Sequence, residues 1–184
     1  MKIGRLLLRL VVGGFFVAHG TQKLFGWFGG HGLDATAGMF ESLGLRPGKR
    51  HATAAGLAET TGGTGLLLGA ATPLASSVLI ATMLTAINRV HLKNGPWNVD
   101  QGYEYNAVLI AAAAALAETG PGSPSVDAAL GIERSGAKWA LLALVLGALG
   151  AVGAHAAAEA APAPESEQES AVESEPATES QPAA

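Results

Sequence analysis

The sequence predicts an all-α membrane protein, built as a four-helix bundle with a fifth transmembrane helix and a disordered acidic C-terminal tail. Three observations support this fold class. Hydrophobic residues make up 49% of the 184 residues and charged residues only 14%. Apolar stretches of about 16–23 residues lack the alternation of barrel strands, so they can cross a bilayer only as helices. Seven of the 15 acidic residues fall in residues 159–184, which contain no Lys or Arg.

The first predicted helix, Ile3–Phe25, begins with basic residues that precede an apolar run. That order resembles a secretory signal peptide. No A-x-A cleavage motif follows, however, and the apolar character continues to Trp27 and Phe28. The segment is therefore expected to remain as the first spanning helix, and its basic residues favour a cytoplasmic N-terminus.

The next two predicted helices, Ala52–Ala71 and Pro73–Leu92, are separated only by Thr72, and the fourth is Glu104–Thr119. The near absence of a loop predicts a tight hairpin with its turn at one membrane face. At about 1.5 Å per residue, polar residues of all four helices lie about 17–24 Å from that face, in the far half of a core about 30 Å thick. These residues are His19, Glu59, Asn88, Glu104 and Asn106. Further polar residues at that level or just beyond it are Gln22, Lys23, Arg89, His91, Tyr103 and Tyr105.

Polar side chains are costly in hydrocarbon and usually face a bundle interior or a cavity, so this convergence predicts one shared pocket. Glu59 is the strongest candidate, either as a proton-transfer group or as a structural ion-pair partner of Lys23 or Arg89. His19 is either a proton shuttle or a ring satisfied by a neighbouring carbonyl. No role is assigned to the histidines outside this level, which are His31, His51 and His155.

The half of the bundle nearest the hairpin turn is apolar apart from Arg5 and Arg9, which are expected to snorkel to the surface. Glycines in this half and in the fifth helix are expected to allow close approach between helix backbones. The glycines concerned are Gly62, Gly63, Gly65, Gly69, Gly147, Gly150 and Gly153.

A fifth apolar stretch, Ala137–Ala158, is long enough to cross the membrane. It begins at Lys138 and Trp139, which fit an interfacial anchor. Five crossings place the C-terminal tail on the opposite face from the N-terminus.

The composition divides the chain into three parts. We predict a four-helix transmembrane domain in residues 1–130, the fifth helix in residues 131–158 and the acidic tail in residues 159–184. Outside the tail, eight acidic residues stand against 11 basic ones, so the net charge of −4 describes neither part. The tail has too little apolar surface to offset chain entropy, which predicts disorder.

Several function classes are excluded by residue content. With no cysteine, the chain cannot supply a thiol–disulfide relay, a cysteine-ligated iron–sulfur cluster or a cysteine nucleophile. No glycine-rich phosphate loop is present, and the basic residues form no aromatic-interleaved patch of the kind that binds nucleic acid. No metal site is predicted, because the available ligand types share no H-x-x-E or E-x-x-H spacing on one helix turn. Those ligand types are supplied by His19, Glu59, His91 and Glu104.

Five motifs occur in order along the chain. They are HGTQKLFG at His19–Gly26, AGLAE at Ala55–Glu59 with Gly62 and Gly63, Leu74 after Thr72-Pro73, HLKNGPW at His91–Trp97 and GYEYN at Gly102–Asn106. Together they resemble the DoxX family of bacterial membrane proteins, and the resemblance covers about Gly4 to Leu130. The chain departs from the family's four-helix pattern by adding the fifth helix and the tail.

The resemblance implies a multi-pass protein of the bacterial plasma membrane in a redox or oxidative-stress setting. Members of the family resemble a subunit of an archaeal thiosulfate:quinone oxidoreductase, which implies quinone as the cofactor. A similar actinobacterial protein is implicated in a membrane complex with a superoxide dismutase and a thiosulfate sulfurtransferase. These soluble proteins and the lipid bilayer are the partners that the resemblance implies.

Two hypotheses follow. In the first, the chain is the membrane subunit of a quinone-linked oxidoreductase, with Glu59, His19 and Glu104 as acid–base residues beside the quinone headgroup. Because the chain has no visible electron carrier, a partner must deliver electrons. The remaining polar residues of the predicted pocket then bind the cofactor, namely Gln22, Lys23, Asn88, Arg89, His91, Tyr103, Tyr105 and Asn106. In the second, the protein is a non-catalytic scaffold or lipophile-binding bundle whose polar cluster holds the helices in register.

Overall fold

The computed structural model describes residues 2–161, and this part of the chain is helical with no β-strand. Seven α-helices occur within it, joined by short turns. The helices are α1 (Ile3–Phe25), α2 (Gly32–Ser42), α3 (Gly48–Leu68), α4 (Thr72–Ala86), α5 (Glu104–Thr119), α6 (Val126–Ala129) and α7 (Ala137–Glu159). The all-α fold class is therefore confirmed.

The five long helices pack as an antiparallel bundle. α3 lies against α1 and α4, while α7 packs on α4 and α5. We call the end of the bundle where α1, α4 and α7 begin the amino-terminal face, and the opposite end the carboxyl-terminal face. α3 and α5 begin at the carboxyl-terminal face and end at the amino-terminal one.

Three of these helices are long and apolar enough to cross a membrane: α1, α7, and α4 extended through Asn94. Their outward residues are exposed, for example Phe15, Leu141 and Leu149 at 58%, 62% and 60%. An exposed apolar belt of this kind is what a lipid-facing surface requires, so the membrane character is confirmed. α3 and α5 are not among these three, and α5 has only 16 residues.

The predicted helix boundaries agree with the structure at both ends of α1 and α5. The predicted end of α7 is one residue short, since the helix continues to Glu159. α3 begins at Gly48, four residues before the predicted start. The short helices α2 and α6 were not predicted, because neither has an apolar run long enough to span a membrane.

The third predicted span, Pro73–Leu92, does not continue as one α-helix. α4 ends at Ala86 and passes into a π-helical turn, Ile87–His91, followed by a 3₁₀ turn at Leu92–Asn94. A π turn has a wider hydrogen-bonding ring than an α turn, which rotates the side chains that follow it, and such turns occur frequently at functional sites. Arg89 and His91 lie in this segment, toward the carboxyl-terminal face of the bundle.

Glycine contacts allow α1 and α3 to approach closely. A Cβ atom added at Gly13 would lie 2.7 Å from the Gly63 carbonyl oxygen, and one at Gly63 would lie 2.7 Å from the Gly13 carbonyl oxygen. The predicted roles of Gly62, Gly65, Gly147 and Gly150 are confirmed by similar contacts with α4. The prediction for Gly153 is wrong, because nothing lies within 4 Å of the Cβ position there.

Apolar side chains from α1, α3, α4 and α5 form the main core, which includes Phe16, Leu66, Leu79 and Leu116. A second cluster joins α7 to this core through contacts among Ile80, Ala113, Ala117 and Ala143. The fifth long helix is therefore an integral part of the bundle. Each fully buried leucine or isoleucine contributes about 1.5–3 kcal/mol relative to the same side chain exposed to water. The gain is smaller when the exposed side chain would face lipid, because lipid tails are also apolar.

The expectation that Arg9 snorkels to the surface is wrong, since its side chain is only 2% exposed. The α5–α6 connection folds over the amino-terminal face, and Arg9 donates to carbonyl oxygens of that connection and of the end of α3. These acceptors are Leu66, Leu67, Pro121 and Pro124, at 2.8–3.0 Å. Arg9 thus ties two segments of the bundle together.

The predicted disorder of the acidic tail concerns residues 159–184, most of which lie outside the described residues. Within the described part, Glu159 is the last residue of α7. α7 ends at the carboxyl-terminal face, whereas α1 begins at the amino-terminal face.

Candidate functional site

A cavity of about 470 Å³ lies inside the bundle toward the carboxyl-terminal face. Its volume is within the range of about 300–1,000 Å³ that is typical of small-molecule sites. All of α1 to α5 contribute to its walls, and α7 adds Gly150 and Ala154. The apolar part of the wall includes Phe16, Met39, Phe40, Leu43, Leu45, Val78, Val90 and Leu109.

An ion pair between Lys23 and Glu59 stands in this cavity. Lys23 Nζ lies 2.6 Å from Glu59 Oε2, and it also approaches the carbonyl oxygen of His19 at 3.5 Å. Glu59 is 5% exposed, while the Lys23 side chain is 23% exposed. Of the two ion-pair partners proposed for Glu59 from the sequence, the structure therefore selects Lys23. The other carboxylate oxygen, Oε1, has no hydrogen-bond partner among residues 2–161.

The local sequence explains why this pair forms. His19 and Lys23 are four residues apart on α1, so they lie on one face of that helix. Gly20 and Gly56 bring α1 and α3 together just below the pair, since a Cβ atom at Gly20 would lie 2.6 Å from the Gly56 carbonyl oxygen. The close approach of the two helices lets the Lys23 side chain reach across to Glu59.

A second polar part of the cavity is formed by Arg89 and His51. Arg89 is half-buried, and its Nε atom has no hydrogen-bond partner among the described residues. His51 is 9% exposed, and its Nε2 atom lies 3.1 Å from the Arg46 carbonyl oxygen. Glu59 has a cationic partner in Lys23, whereas Arg89 has no carboxylate within ion-pairing distance in the described part of the chain. This part of the wall therefore carries an unused hydrogen-bond donor.

α5 completes the polar lining with Tyr105 and Asn106. Asn106 is 7% exposed, and its amide nitrogen lies 3.4 Å from the Met83 sulfur atom. A thioether sulfur is a weak acceptor, so most of the hydrogen-bonding capacity of Asn106 is not used by this contact. Tyr105 is half-exposed at 52% and stands at the edge of the cavity.

The structure brings together most, but not all, of the residues that the sequence predicted for the site. Those that line the cavity are His19, Lys23, Glu59, Arg89, His91, Tyr105 and Asn106. Those that do not line it are Gln22, Asn88, Tyr103 and Glu104. Their chemical roles stay predictions in both groups.

Two of the residues outside the cavity have structural contacts instead. The Glu104 carboxylate accepts a hydrogen bond from the Asn98 backbone at 2.9 Å, which closes the loop before α5. Gln22 donates to the Phe28 carbonyl oxygen at 3.1 Å in the turn after α1. His91 lines the cavity, but its Nδ1 atom lies 2.7 Å from the Gln101 carbonyl oxygen.

Sequence reasoning missed two contributions to the site. The first is His51, which lies eight residues before Glu59 and therefore within the same helical stripe of α3. The second is α2, which covers the mouth of the cavity with Met39 and Phe40. α2 is held against α3 by a hydrogen bond from the Gly48 backbone to the Glu41 carboxylate. Its apolar residues are too few for a membrane span, so hydropathy gave no signal for this helix.

The described residues contain no group of three or more His, Cys, Asp or Glu side chains arranged to hold a metal ion. The polar groups are instead distributed around an apolar space. Such a cavity can hold a flat or elongated lipophilic molecule with a few oxygen atoms, which hydrogen bonds from the wall then orient.

Comparisons with known proteins agree with the resemblance in the motifs. The family model described as DoxX matches residues 4–92. A protein of Bacillus subtilis (strain 168), "Putative oxidoreductase CatD", is 32% identical over 108 residues, which cover 59% of this chain and 74% of that protein. No solved structure matches the chain.

Proposed function

This chain belongs to the DoxX family of membrane proteins, and from that premise we propose that it is the membrane component of a quinone-linked redox complex. The proposal places it in the bacterial plasma membrane with its five long helices crossing the bilayer. The relative named above as an oxidoreductase supports the redox setting. The cavity around the Lys23–Glu59 ion pair is the observation on which the quinone assignment depends.

The residues of the cavity fit a quinone in three respects. The walls are mostly apolar, which suits an aromatic ring and the first part of a lipid chain. Arg89 lines the cavity and makes no hydrogen bond within residues 2–161, and a quinone oxygen is an acceptor for its guanidinium. Glu59 Oε1 is an acceptor without a partner in residues 2–161, and a quinol hydroxyl is a donor. The cavity thus supplies complementary atoms for both redox forms.

A bound quinone would take up two electrons and two protons to become a quinol. Glu59 is the proposed proton-transfer residue, because its buried carboxylate faces the cavity and is already joined to Lys23. Lys23 holds the carboxylate in place and extends toward His19, which is exposed. The imidazole of His19 lines the same cavity and is the proposed second acid–base group, and a positioned acid–base group contributes about 10²–10⁴-fold to rate.

Electrons must come from another protein in this proposal, since the sequence contains no cysteine for an iron–sulfur cluster or thiol relay. Soluble redox proteins such as a superoxide dismutase and a thiosulfate sulfurtransferase are the proposed partners, on the basis of the family resemblance. They would assemble at a membrane surface next to this chain.

The proposal is tested with the complex purified from native membranes and with two quinones, decylubiquinone and menadione. We expect the wild-type complex to bind at least one of them and to reduce it. Glu59→Gln should lower the reduction rate per folded molecule by about 10²–10⁴-fold while quinone affinity changes little. The double variant Glu59→Gln/Lys23→Met avoids an unpaired buried charge, and it should show the same loss of rate with better stability.

Glu118→Gln is the matched control, because Glu118 is an exposed carboxylate near the amino-terminal face. It should leave the reduction rate unchanged. Wild-type reduction rates in a folded Glu59→Gln complex would disprove the proton-transfer role.

A second candidate function is lipophile binding without redox turnover, and the predominantly apolar wall of the cavity favours it. It predicts that the wild-type chain binds an apolar ligand of similar size but no quinone. It also predicts that Glu59→Gln changes assembly or stability alone. Failure of the wild-type complex to bind either quinone would therefore select this second function.

A further inference from the structure

Two buried side-chain atoms near the contact between α4 and α7 have no hydrogen-bond partner in the described residues, and one of them belongs to Arg89, which lines the cavity. Arg89 Nε and His155 Nε2 are both enclosed, and neither has a hydrogen-bond partner among residues 2–161. Arg89 and His51 are also close enough to His155 to act on it electrostatically. Buried polar atoms in native proteins are nearly always hydrogen-bonded, so unpaired ones beside a cavity require an explanation.

Charge balance on this side of the cavity favours an acceptor as the missing partner. Arg89 is a permanent cation with no carboxylate within ion-pairing distance among residues 2–161, and Glu59 pairs with Lys23 through Oε2 instead. The only acidic group acting on His155 in the described chain is Glu159, one helical turn further along α7. A ligand oxygen with partial or full negative charge would satisfy the donor of Arg89.

α7 shapes this part of the cavity although it lies outside residues 4–92, which the family model matches. Gly147 and Gly150 let α7 approach α4, since a Cβ atom at Gly150 would lie 3.0 Å from Ala81 Cβ. Gly150 and Ala154 then line the cavity directly, and His155 follows Ala154 in the same turn. The fifth long helix therefore forms a wall of the site.

We propose that Arg89 and α7 form the end of the cavity that binds an oxygen atom of the quinone headgroup. The Arg89 guanidinium donates the hydrogen bond, and Ala154 encloses the ring. This inference rests on the proposed quinone function and adds the residues that hold the ligand, including a helix that the family model does not cover.

The inference is tested on the full chain purified in detergent, with menadione and with 2-methylnaphthalene as probes. The two probes share a fused-ring skeleton and a methyl group, but only menadione has oxygen atoms. Arg89→Met should raise the Kd for menadione by about 10–100-fold, the effect of losing one hydrogen bond from a charged donor. It should leave the Kd for 2-methylnaphthalene within about twofold. Binding is measured by titration calorimetry and by the ligand-induced rise in Tm.

The α7 wall is tested with a matched pair of substitutions on one helix. Ala154→Leu fills the cavity from the α7 side, so it should weaken the binding of both probes by at least about tenfold. Ala157→Leu adds the same atoms on the exposed side of α7 and should change neither Kd.

Each negative outcome has a distinct meaning. If the wild-type chain binds neither menadione nor decylubiquinone, the proposed function fails and the headgroup assignment fails with it. If the wild-type chain binds menadione and Arg89→Met binds it equally well, only the headgroup assignment fails. Equal weakening of both probes by Arg89→Met would mean that Arg89 shapes the cavity without donating to the ligand, which also overturns the assignment.

Discussion

The two ends of the bundle contain buried polar clusters of opposite character. At the amino-terminal face, Arg9 donates to several carbonyl oxygens, and the Asp127 carboxylate accepts from the Ala71 and Thr72 backbone at 2.8 and 3.2 Å. At the carboxyl-terminal face, Arg89 Nε has no partner in the described part of the chain. A fully satisfied network rigidifies a fold, whereas unused donors beside a cavity indicate a ligand.

The two arginines illustrate this difference most clearly. The sequence predicted a surface position for Arg9 and a place in the polar pocket for Arg89, whereas the structure buries Arg9 and leaves Arg89 half-buried beside the cavity. Arg9 is enclosed by the α5–α6 connection, whose carbonyl groups would otherwise lack donors. Arg89 lies within a π turn and lines the cavity, and its Nε atom has no acceptor among residues 2–161. The same side chain therefore stabilises the fold at one end and is available for binding at the other.

The largest expected effect is at Arg9. Arg9→Met removes the donor for the carbonyl groups of Leu66, Leu67, Pro121 and Pro124, and the bonds to Leu66 and Pro121 are buried. We expect the free energy of unfolding to fall by about 3–5 kcal/mol, measured by denaturant unfolding in detergent. Arg5→Met is the matched control one helical turn away, and it should cost only about 1 kcal/mol because Arg5 makes one such bond, to the Thr119 carbonyl oxygen at 2.7 Å. Equal losses of unfolding free energy in the two variants would mean that the buried hydrogen bonds of Arg9 stabilise the amino-terminal face no more than the exposed one of Arg5 does.

A smaller effect of opposite sign is expected at Arg89. Arg89→Met removes a buried donor that has no partner in the described residues, so the unfolding free energy should stay unchanged or rise by about 1 kcal/mol. The same measurement in detergent checks this, with menadione absent. A loss of 2 kcal/mol or more would show that Arg89 is part of the structural framework, and the contrast with Arg9 would disappear.

The smallest effect is expected from the acidic tail. A chain ending at Ala161 retains all of α7, so its Tm in detergent should equal that of the full chain. A chain ending at Ala151 is the control, because it loses the cavity residue Ala154 and the buried residue Ala158. That control should have a lower Tm and weaker menadione binding. A marked loss of Tm in the longer chain would mean that residues 162–184 contribute to the stability of one of the two ends.

Helix positions could be predicted largely from the sequence, since a span in lipid must be a continuous apolar helix of sufficient length. α1, α5 and α7 were therefore located to within one residue. α2 and the π turn after α4 could not be predicted in this way. Their positions depend on contacts with other helices, such as the hydrogen bond from the Gly48 backbone to Glu41, and not on hydropathy.

The candidate site was predictable in outline. Counting residues from the hairpin turn placed Glu59, His19 and Asn106 at one depth, because the rise per residue of a helix is fixed. Depth alone does not give the direction of a side chain around the helix axis. That is why Glu104, at a similar depth, lies outside the cavity and accepts from the Asn98 backbone. His51 lines the cavity but was missed for another reason, because it precedes the predicted span Ala52–Ala71.

The sequence by itself determined the membrane character, the number of long helices and the level of the polar residues. Each of these follows from local properties, namely apolar content, helix length and the spacing of charges. Only the tertiary structure decided that Glu59 pairs with Lys23, that Arg9 is buried and satisfied, and that Arg89 and α7 border the cavity. These features depend on how the helices are rotated and how closely glycines let them approach, and such quantities are set by packing between segments far apart in the chain.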